Sequence, residues 1–411
     1  MQNAPTNTTI KRTRRMSTAC GAVSLLLIVN ACSTDNQAEN PAKVLPTVAT
    51  TSTNVQPPST TTSVQPPTTT GENSARLALL SDILQQHRAA GEFVGARIAI
   101  RGNDGEITAV TAGSTTIDPG SDPVRSDTAW NIGSVTKTFV AVVVLQLAEE
   151  GRLDLDADIE SFFPDLAEAD RITPRELLQH TSGLNEYINQ PAVVNDLQRH
   201  WTPAELIAVA EAAGRVGQPG GASHYANTNY IVLGELIQQI TGNSWSDEVR
   251  TRVIQPLGLD HTSVITTQRP IGYTVNDDGT FVDATNSTDP SVGGAAGALQ
   301  STERDLLQFI TALADGRLLT PRFLAEMEAF VPGEDYSQFG IDHGYGLGLE
   351  QFVTTQITMY GHLGTGAAQS AYIGWDLATG TAIAVQTNTA LPGTAGLIAV
   401  EALTAGAVNA R

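Results

Sequence analysis

A hydroxyl and an amine three residues apart raise the question of chemistry: Ser134 and Lys137, in Gly133-Ser134-Val135-Thr136-Lys137. On a helix, residues i and i+3 share a face. A serine beside a desolvated lysine becomes nucleophilic at neutral pH, because a buried amine sheds its proton and an arginine does not. Beyond residue 43, Lys137 is the only lysine in the chain. Ser-x-x-Lys also occurs as an ordinary exposed helix start, so the pattern needs support from its surroundings. The residues that follow, 139–148, are apolar but for Gln146. They predict a buried helix running from Ser134 to near Gly151. Ser134 would then stand at the N-terminus of a core helix, where free backbone N–H groups favour developing negative charge.

Two other stretches carry residues of matching chemistry. Tyr225-Ala226-Asn227 follows the loop Gly217-Gln218-Pro219-Gly220-Gly221. A tyrosine there could move a proton to or from the serine, and the asparagine could hold a substrate carbonyl. Gly361-His362-Leu363-Gly364-Thr365 reads as a loop preceding a pair of strands. Its glycines let a ligand approach the backbone, and the Thr365 N–H is a candidate second oxyanion donor beside that of Ser134. Taken singly, each reads as a turn or polar surface. His180-Thr181-Ser182-Gly183 reads as a structural loop, because adjacent residues cannot form a base-to-nucleophile geometry.

The elements that must position these residues are read from residues 74–411. A helix is expected over 74–90. Strands over 95–101 and 107–111 flank the turn Asn103-Asp104-Gly105. Helices start at Thr173-Pro174 and Thr202-Pro203, each a capping residue followed by proline. Strands over 370–375 and 381–387 precede a last helix over 394–408. Strands at both ends with helices between imply a sheet closed by both termini and a helical insertion.

The remaining features bound the biology. The chain has 411 residues, 41% of them hydrophobic, and a net charge of −20. That charge excludes nucleic acid, whose phosphates need a basic face. The two cysteines are Cys20 and Cys32, and the seven histidines are scattered. No metal and no cofactor are expected. Lys11, Arg12, Arg14 and Arg15 precede an apolar run over 19–29 that ends in Val29-Asn30-Ala31-Cys32. This resembles a bacterial lipobox. It predicts a signal peptide over 1–31, a lipidated Cys32 as first mature residue, and a cell-envelope lipoprotein on the outer face of the cytoplasmic membrane. The alternative is an ordinary cleaved signal and a secreted protein. Residues 32–73 form a Thr/Ser/Pro-rich linker in which Val55-Gln56-Pro57-Pro58 recurs as Val64-Gln65-Pro66-Pro67.

Taken together, these motifs resemble the class C β-lactamases and Streptomyces-type D-alanyl-D-alanine carboxypeptidases. The similarity covers essentially all of 74–411. It includes Gly151-Arg152-Leu153-Asp154-Leu155-Asp156, Ile172-Thr173-Pro174, Pro256-Leu257-Gly258-Leu259 and Gly344 to Leu349. The resemblance implies an α/β (α+β) fold, with an antiparallel sheet flanked by terminal helices plus an all-helical region. It implies Ser134 as acylated nucleophile, Lys137 as its activator and Tyr225 as proton shuttle, and leaves open which group is the general base. It further implies Asn227, His362, Gly364 and Thr365 as substrate-binding residues, His362 by shaping the cleft's electrostatics.

Two departures stand out. Leu363 replaces the hydroxyl residue usual after the third-motif histidine or lysine, and Glu350 stands where peptidase relatives tend to carry a base. No lysine or arginine lies between Arg322 and Arg411. The expected function is an exported acyl-serine hydrolase, D-alanyl-D-alanine carboxypeptidase-like on cell-wall peptides. The alternatives are an esterase or amidase, a β-lactamase, or a non-catalytic envelope binding protein. The expected partners are a small-molecule or peptide substrate and a membrane, reached through the lipid anchor.

Overall fold

The computed structural model describes residues 69–265 and 269–409. The signal peptide, Cys32 and nearly all of the linker lie outside the described residues.

Eight antiparallel strands form the main sheet: β1 (Gly95–Arg101), β2 (Ile107–Gly113), β3 (Val331–Pro332), β4 (Asp342–Tyr345), β5 (Glu350–Val353), β6 (Thr358–Thr365), β7 (Ser370–Asp376) and β8 (Ala382–Thr387). Their order is β2-β1-β8-β7-β6-β5-β4-β3. The first strand thus pairs with the last, with Ala96 opposite Thr387 and Arg101 opposite Ala382. This is the closure by both termini that the sequence predicted. The turn between β1 and β2 is tied by the Gly105 N–H to the Gly102 carbonyl at 2.9 Å, with Gly105 at φ 81°.

Both faces of the sheet are covered, and the pleat sorts the side chains between them. Ile98, Ile100, Tyr372, Ile383 and Val385 face α1 (Thr69–Ala89) and the last helix. Ala99, Ile373, Trp375 and Ala384 face the helical region. Helix α1 begins before the expected residue 74, so 69–73 are helix rather than linker. Asn73 is tied to the hairpin, its Oδ1 accepting from Thr108 Oγ1 at 2.6 Å.

The expected buried helix is α2 (Thr136–Glu149), in which every residue from Thr136 to Leu145 is buried. It starts two residues later than expected, because Ser134 lies in a 3₁₀ turn, Gly133–Val135, that leads into it. The α2 ring of Phe139 stacks on Phe309 of α4 (Glu303–Ala314), with centroids 3.6 Å apart. Between them in sequence lies α3 (Asn227–Thr241). The last helix, α5 (Thr394–Asn409), closes the opposite face. The helix starts at Thr173 and Thr202 both form the reciprocal cap with Glu176 and Glu205, as their spacing requires. Among the described residues no helix is long and apolar enough to cross a membrane, and no group of three or more His, Cys, Asp or Glu could hold a metal ion.

One buried ion pair joins the sheet to the helical region. Arg97 of β1 is fully buried, and its Nε lies 3.1 Å from Glu303 Oε2 of α4. Its Nε–H is directed at Gln386 Oε1 (3.1 Å), Nη1 donates to the Arg125 carbonyl (2.8 Å), and its guanidinium lies 4.1 Å from the Trp130 ring centroid. Burial pulls this guanidinium down to about 10.

Candidate active site

The 3₁₀ turn that carries Ser134 sits directly against β6. Gly133 has φ 50°, and a Cβ there would meet the Thr365 backbone at 2.6 Å. A Cβ on Gly364 would meet the Ile132 carbonyl at 2.0 Å. Only glycine at both positions lets nucleophile and strand approach this closely. Gly364 therefore acts through that approach and packs on the turn. The segment 361–365 was expected as a loop and is instead the second half of β6, paired with β7 from His362↔Ile373 to Thr365↔Ser370. Its glycines disguise a strand, because they are demanded by packing rather than by a turn.

Lys137 is fully buried, and its Nζ has three oxygen partners: Ser134 Oγ at 2.9 Å, Asn227 Oδ1 at 2.7 Å and the Ala296 carbonyl at 2.9 Å. Two of these can only accept. A neutral amine has two hydrogens and one lone pair. The hydrogens satisfy the two carbonyl-type oxygens, and the lone pair is left to take the hydrogen of the Ser134 hydroxyl. Burial lowers Lys137 to about 7, against the opposing pull of Glu186 and Glu350. The neutral form is thus accessible at physiological pH.

Asn227 was expected on a loop and is the first residue of α3. Its orientation comes from Glu186, a residue without any sequence signal. Glu186 Oε2 accepts from both the backbone N–H and the side-chain amide of Asn227, at 2.7 and 2.9 Å. Burial raises the Glu186 carboxyl, opposed by the N–H groups of Ile188 and Asn227 and by Lys137.

The Tyr225 ring lies 4.9 Å from Lys137 Nζ, and Ser134 is among the groups that act on its hydroxyl. Burial pushes the phenol well above its ordinary value. The ring is supported by His180, 4.3 Å away between centroids, which also contacts the rings of Tyr230 and Tyr345. The His180 loop is structural, as read from sequence, and its task is to hold Tyr225. His180 Nδ1 accepts from the Ala226 N–H at 3.2 Å and faces the Asn229 amide at 3.0 Å. Burial, and then the Lys137 charge, push His180 well below its usual range, so it is neutral.

His362 has a different place from the expected substrate-binding one. Its side chain is 1% exposed, and both ring nitrogens have protein partners. Nδ1 lies 2.5 Å from the Leu363 carbonyl, and Nε2 lies 2.8 Å from the Tyr345 hydroxyl. A carbonyl only accepts, so Nδ1 carries the hydrogen and Nε2 accepts from Tyr345. Burial lowers this histidine to about 3, so it adds no positive charge to the cleft. Leu363 points to the other face of the strand, where it packs against Gly396 of α5. Its missing hydroxyl is therefore not replaced by apolar surface in the site.

Ser134, Lys137, Tyr225, Asn227 and the backbone of Thr365 are thus brought together from three separate stretches of chain. His180 and Tyr345, from stretches already singled out in the sequence, complete the site together with Glu186 and the Ala296 carbonyl, which had no legible motif.

Comparison with known proteins shows the family and the fold. The chain is 28% identical over 288 residues to penicillin-binding protein 4 of Amycolatopsis lactamdurans, covering 64% of this chain and 73% of that one. It is 28% identical over 219 residues to PbpX of Bacillus subtilis, spanning about half that relative's length, 53%. Among solved structures, the D-amino acid amidase of Ochrobactrum anthropi superposes with a TM-score of 0.73 at 28% identity, over 82% of this chain and 99% of that one. A D-stereospecific amidohydrolase from Streptomyces superposes with a TM-score of 0.68 at 30% identity, over 79% and 97%. The family model described as Beta-lactamase matches residues 80–405. With a serine–lysine pair at the heart of that span, the chain belongs to the beta-lactamase family and is a serine hydrolase of its fold.

Proposed function

We propose that the protein hydrolyses amide or ester bonds of small D-configured amino-acid or peptide substrates through an acyl-Ser134 intermediate. The observation that carries this is the Lys137 amine, 2.9 Å from Ser134 Oγ with its other partners Asn227 Oδ1 and the Ala296 carbonyl both pure acceptors. As Oγ attacks the substrate carbonyl, its proton passes to the Lys137 lone pair. The oxyanion is received by the N–H groups of Ser134 and Thr365. Tyr225, held protonated by burial, gives its proton to the leaving amine or alkoxide and recovers one from Lys137. Water then attacks the acyl-enzyme along the reverse path. Lys137, at about 7, is the base in this scheme, because a phenol raised well above 10 is a poor starting acceptor.

Substrates without a free carboxylate on the leaving side suit the site best. The groups that act electrostatically on Lys137 are Glu186 and Glu350, both acids. A terminal carboxylate wants a charge-assisted partner, and His362 is neutral and buried. The amidases among the structural neighbours support this choice. The carboxypeptidase reading on cell-wall peptides is favoured by the similarity to a penicillin-binding protein over 73% of its length. Purified protein assayed on a D-amino acid amide, a short aryl ester, a D-Ala-D-Ala peptide and a cephalosporin separates the two. Fastest turnover of the D-Ala-D-Ala peptide would replace the amidase reading. A fluorophosphonate should label the wild type and not Ser134→Ala; equal labelling would refute the acyl-serine mechanism. Export and lipidation of Cys32 are part of the proposal and rest on the N-terminal sequence alone. Mass spectrometry of the native N-terminus tests them, and an unmodified residue other than Cys32 there would refute lipidation.

A further inference from the structure

Strand β6 loses its outer neighbour halfway along. The β5–β6 pairing runs from Val353↔Thr358 only to Glu350↔Gly361. Beyond Gly361 the chain preceding β5 turns away through Gly346 to Leu349 into the helical region. A Cβ on Gly348 there would meet Ala141 of α2 and the Tyr230 hydroxyl at 2.4 and 2.8 Å. The Leu363 N–H and C=O therefore face an edge that no strand covers among the described residues.

Two side chains cover it instead. Glu350 Oε2 accepts the Leu363 N–H at 2.6 Å. His362 Nδ1 donates to the Leu363 carbonyl at 2.5 Å and is itself held by Tyr345. Backbone groups along one edge of a strand recur every second residue. Thr365, two residues on, presents its N–H at that same edge, beside Gly133.

We propose that Glu350 is a positioning residue for acyl transfer: its carboxyl stands in for the missing strand at Leu363 and, with His362, fixes the peptide that aims the Thr365 N–H at the acyl oxygen. This rests on the acyl-serine reading above. The Glu350 side chain is 7% exposed, with His343 Nε2 3.8 Å and His362 Nδ1 3.7 Å away, so it meets the site through the Leu363 N–H and through its pull on Lys137 and does not touch substrate. Burial raises its carboxyl to about 8, and a neutral carboxyl still offers a carbonyl oxygen to the N–H.

Two substitutions separate the acceptor from the titrating carboxyl. Glu350→Gln keeps the acceptor and removes the carboxyl, whereas Glu350→Asp keeps the carboxyl and withdraws the acceptor. With an aryl ester, Asp is expected to lower kcat about 10- to 100-fold with KM within about threefold, the scale of a misaligned reacting group. Gln is expected to restore kcat to within about threefold of wild type. Hydrogen exchange over residues 361–366 should accelerate in Asp and stay near wild type in Gln, also in a Ser134→Ala background where no turnover occurs. An active Asp variant, or a folded Gln variant slowed more than about tenfold, overturns the proposal. The Gln result suffices if Asp does not fold. Unchanged exchange in a folded Asp variant overturns it independently of any activity, whereas failure of Ser134 labelling overturns only the reading on which it rests.

Discussion

Glu186 Oε2 accepts two hydrogen bonds from Asn227, one from its backbone N–H and one from its side-chain amide. The carboxylate cannot donate, so the amide nitrogen must face it and Asn227 Oδ1 must face Lys137. The orientation of the asparagine is thus set by an acid 41 residues earlier in the chain. Glu186→Gln places an N–H₂ group among donors that need acceptors. It should lower kcat about tenfold, the scale of one lost hydrogen bond to a charged group. It should also move the acid limb of the pH profile to lower pH, because Glu186 opposes the loss of the Lys137 proton. Steady-state kinetics across pH check both, and an unchanged limb would refute the coupling.

Lys137 sets that limb in the wild type. Burial brings its amine to about 7. The base is the neutral form, so kcat/KM should rise with pH through about 7 and level off above it. Lys137→Arg should lose about 10²- to 10⁴-fold in kcat, because a guanidinium does not shed its proton. A near wild-type rate in that variant would show that Lys137 only packs.

Glu350 couples the site to stability. Its folded carboxyl stands at about 8, above its ordinary 4.5. Between those values the folded state holds a proton that the unfolded state has released. The contribution of Glu350 is therefore fully present below about 4.5 and is lost as pH rises towards 8. Glu350→Gln cannot titrate, so the difference in stability between wild type and variant should shift in the variant's favour across that window. Urea unfolding at pH 5 and pH 8 measures it, and a pH-independent difference would contradict the buried acid.

Arg97 and Glu303 predict a large effect far from the chemistry. Glu303 is fully buried beside Arg97. Arg97→Met strands that carboxylate and should cost about 3–5 kcal/mol, the scale for breaking a buried pair. Arg97→Met with Glu303→Leu should recover much of the loss, since an apolar pair leaves no buried charge. Thermal or urea unfolding of the three proteins tests this.

The site and the fold were legible in the sequence wherever a local rule determined them. Ser134 and Lys137 are one helical turn apart, so their meeting is a property of four residues and a helix. The apolar run after them required burial, and Thr173 and Thr202 announced their helices through caps three residues long. The terminal strands were visible by alternation. What lay beyond the sequence depended on contacts between distant segments. Glu186 lies 41 residues before Asn227 and has no motif, because its role comes from where its loop meets the start of α3. His362 read as a group in the cleft, yet the register of β6 turns it inward onto Tyr345 and sends Leu363 to the opposite face. Gly361 and Gly364 looked like loop residues because close packing and turns demand the same residue type. Glu350 was visible as a departure in charge, but only the early end of β5 makes it a partner for the Leu363 N–H. Local spacing decided which residues carry the chemistry; the register and endings of strands decided how they are aimed.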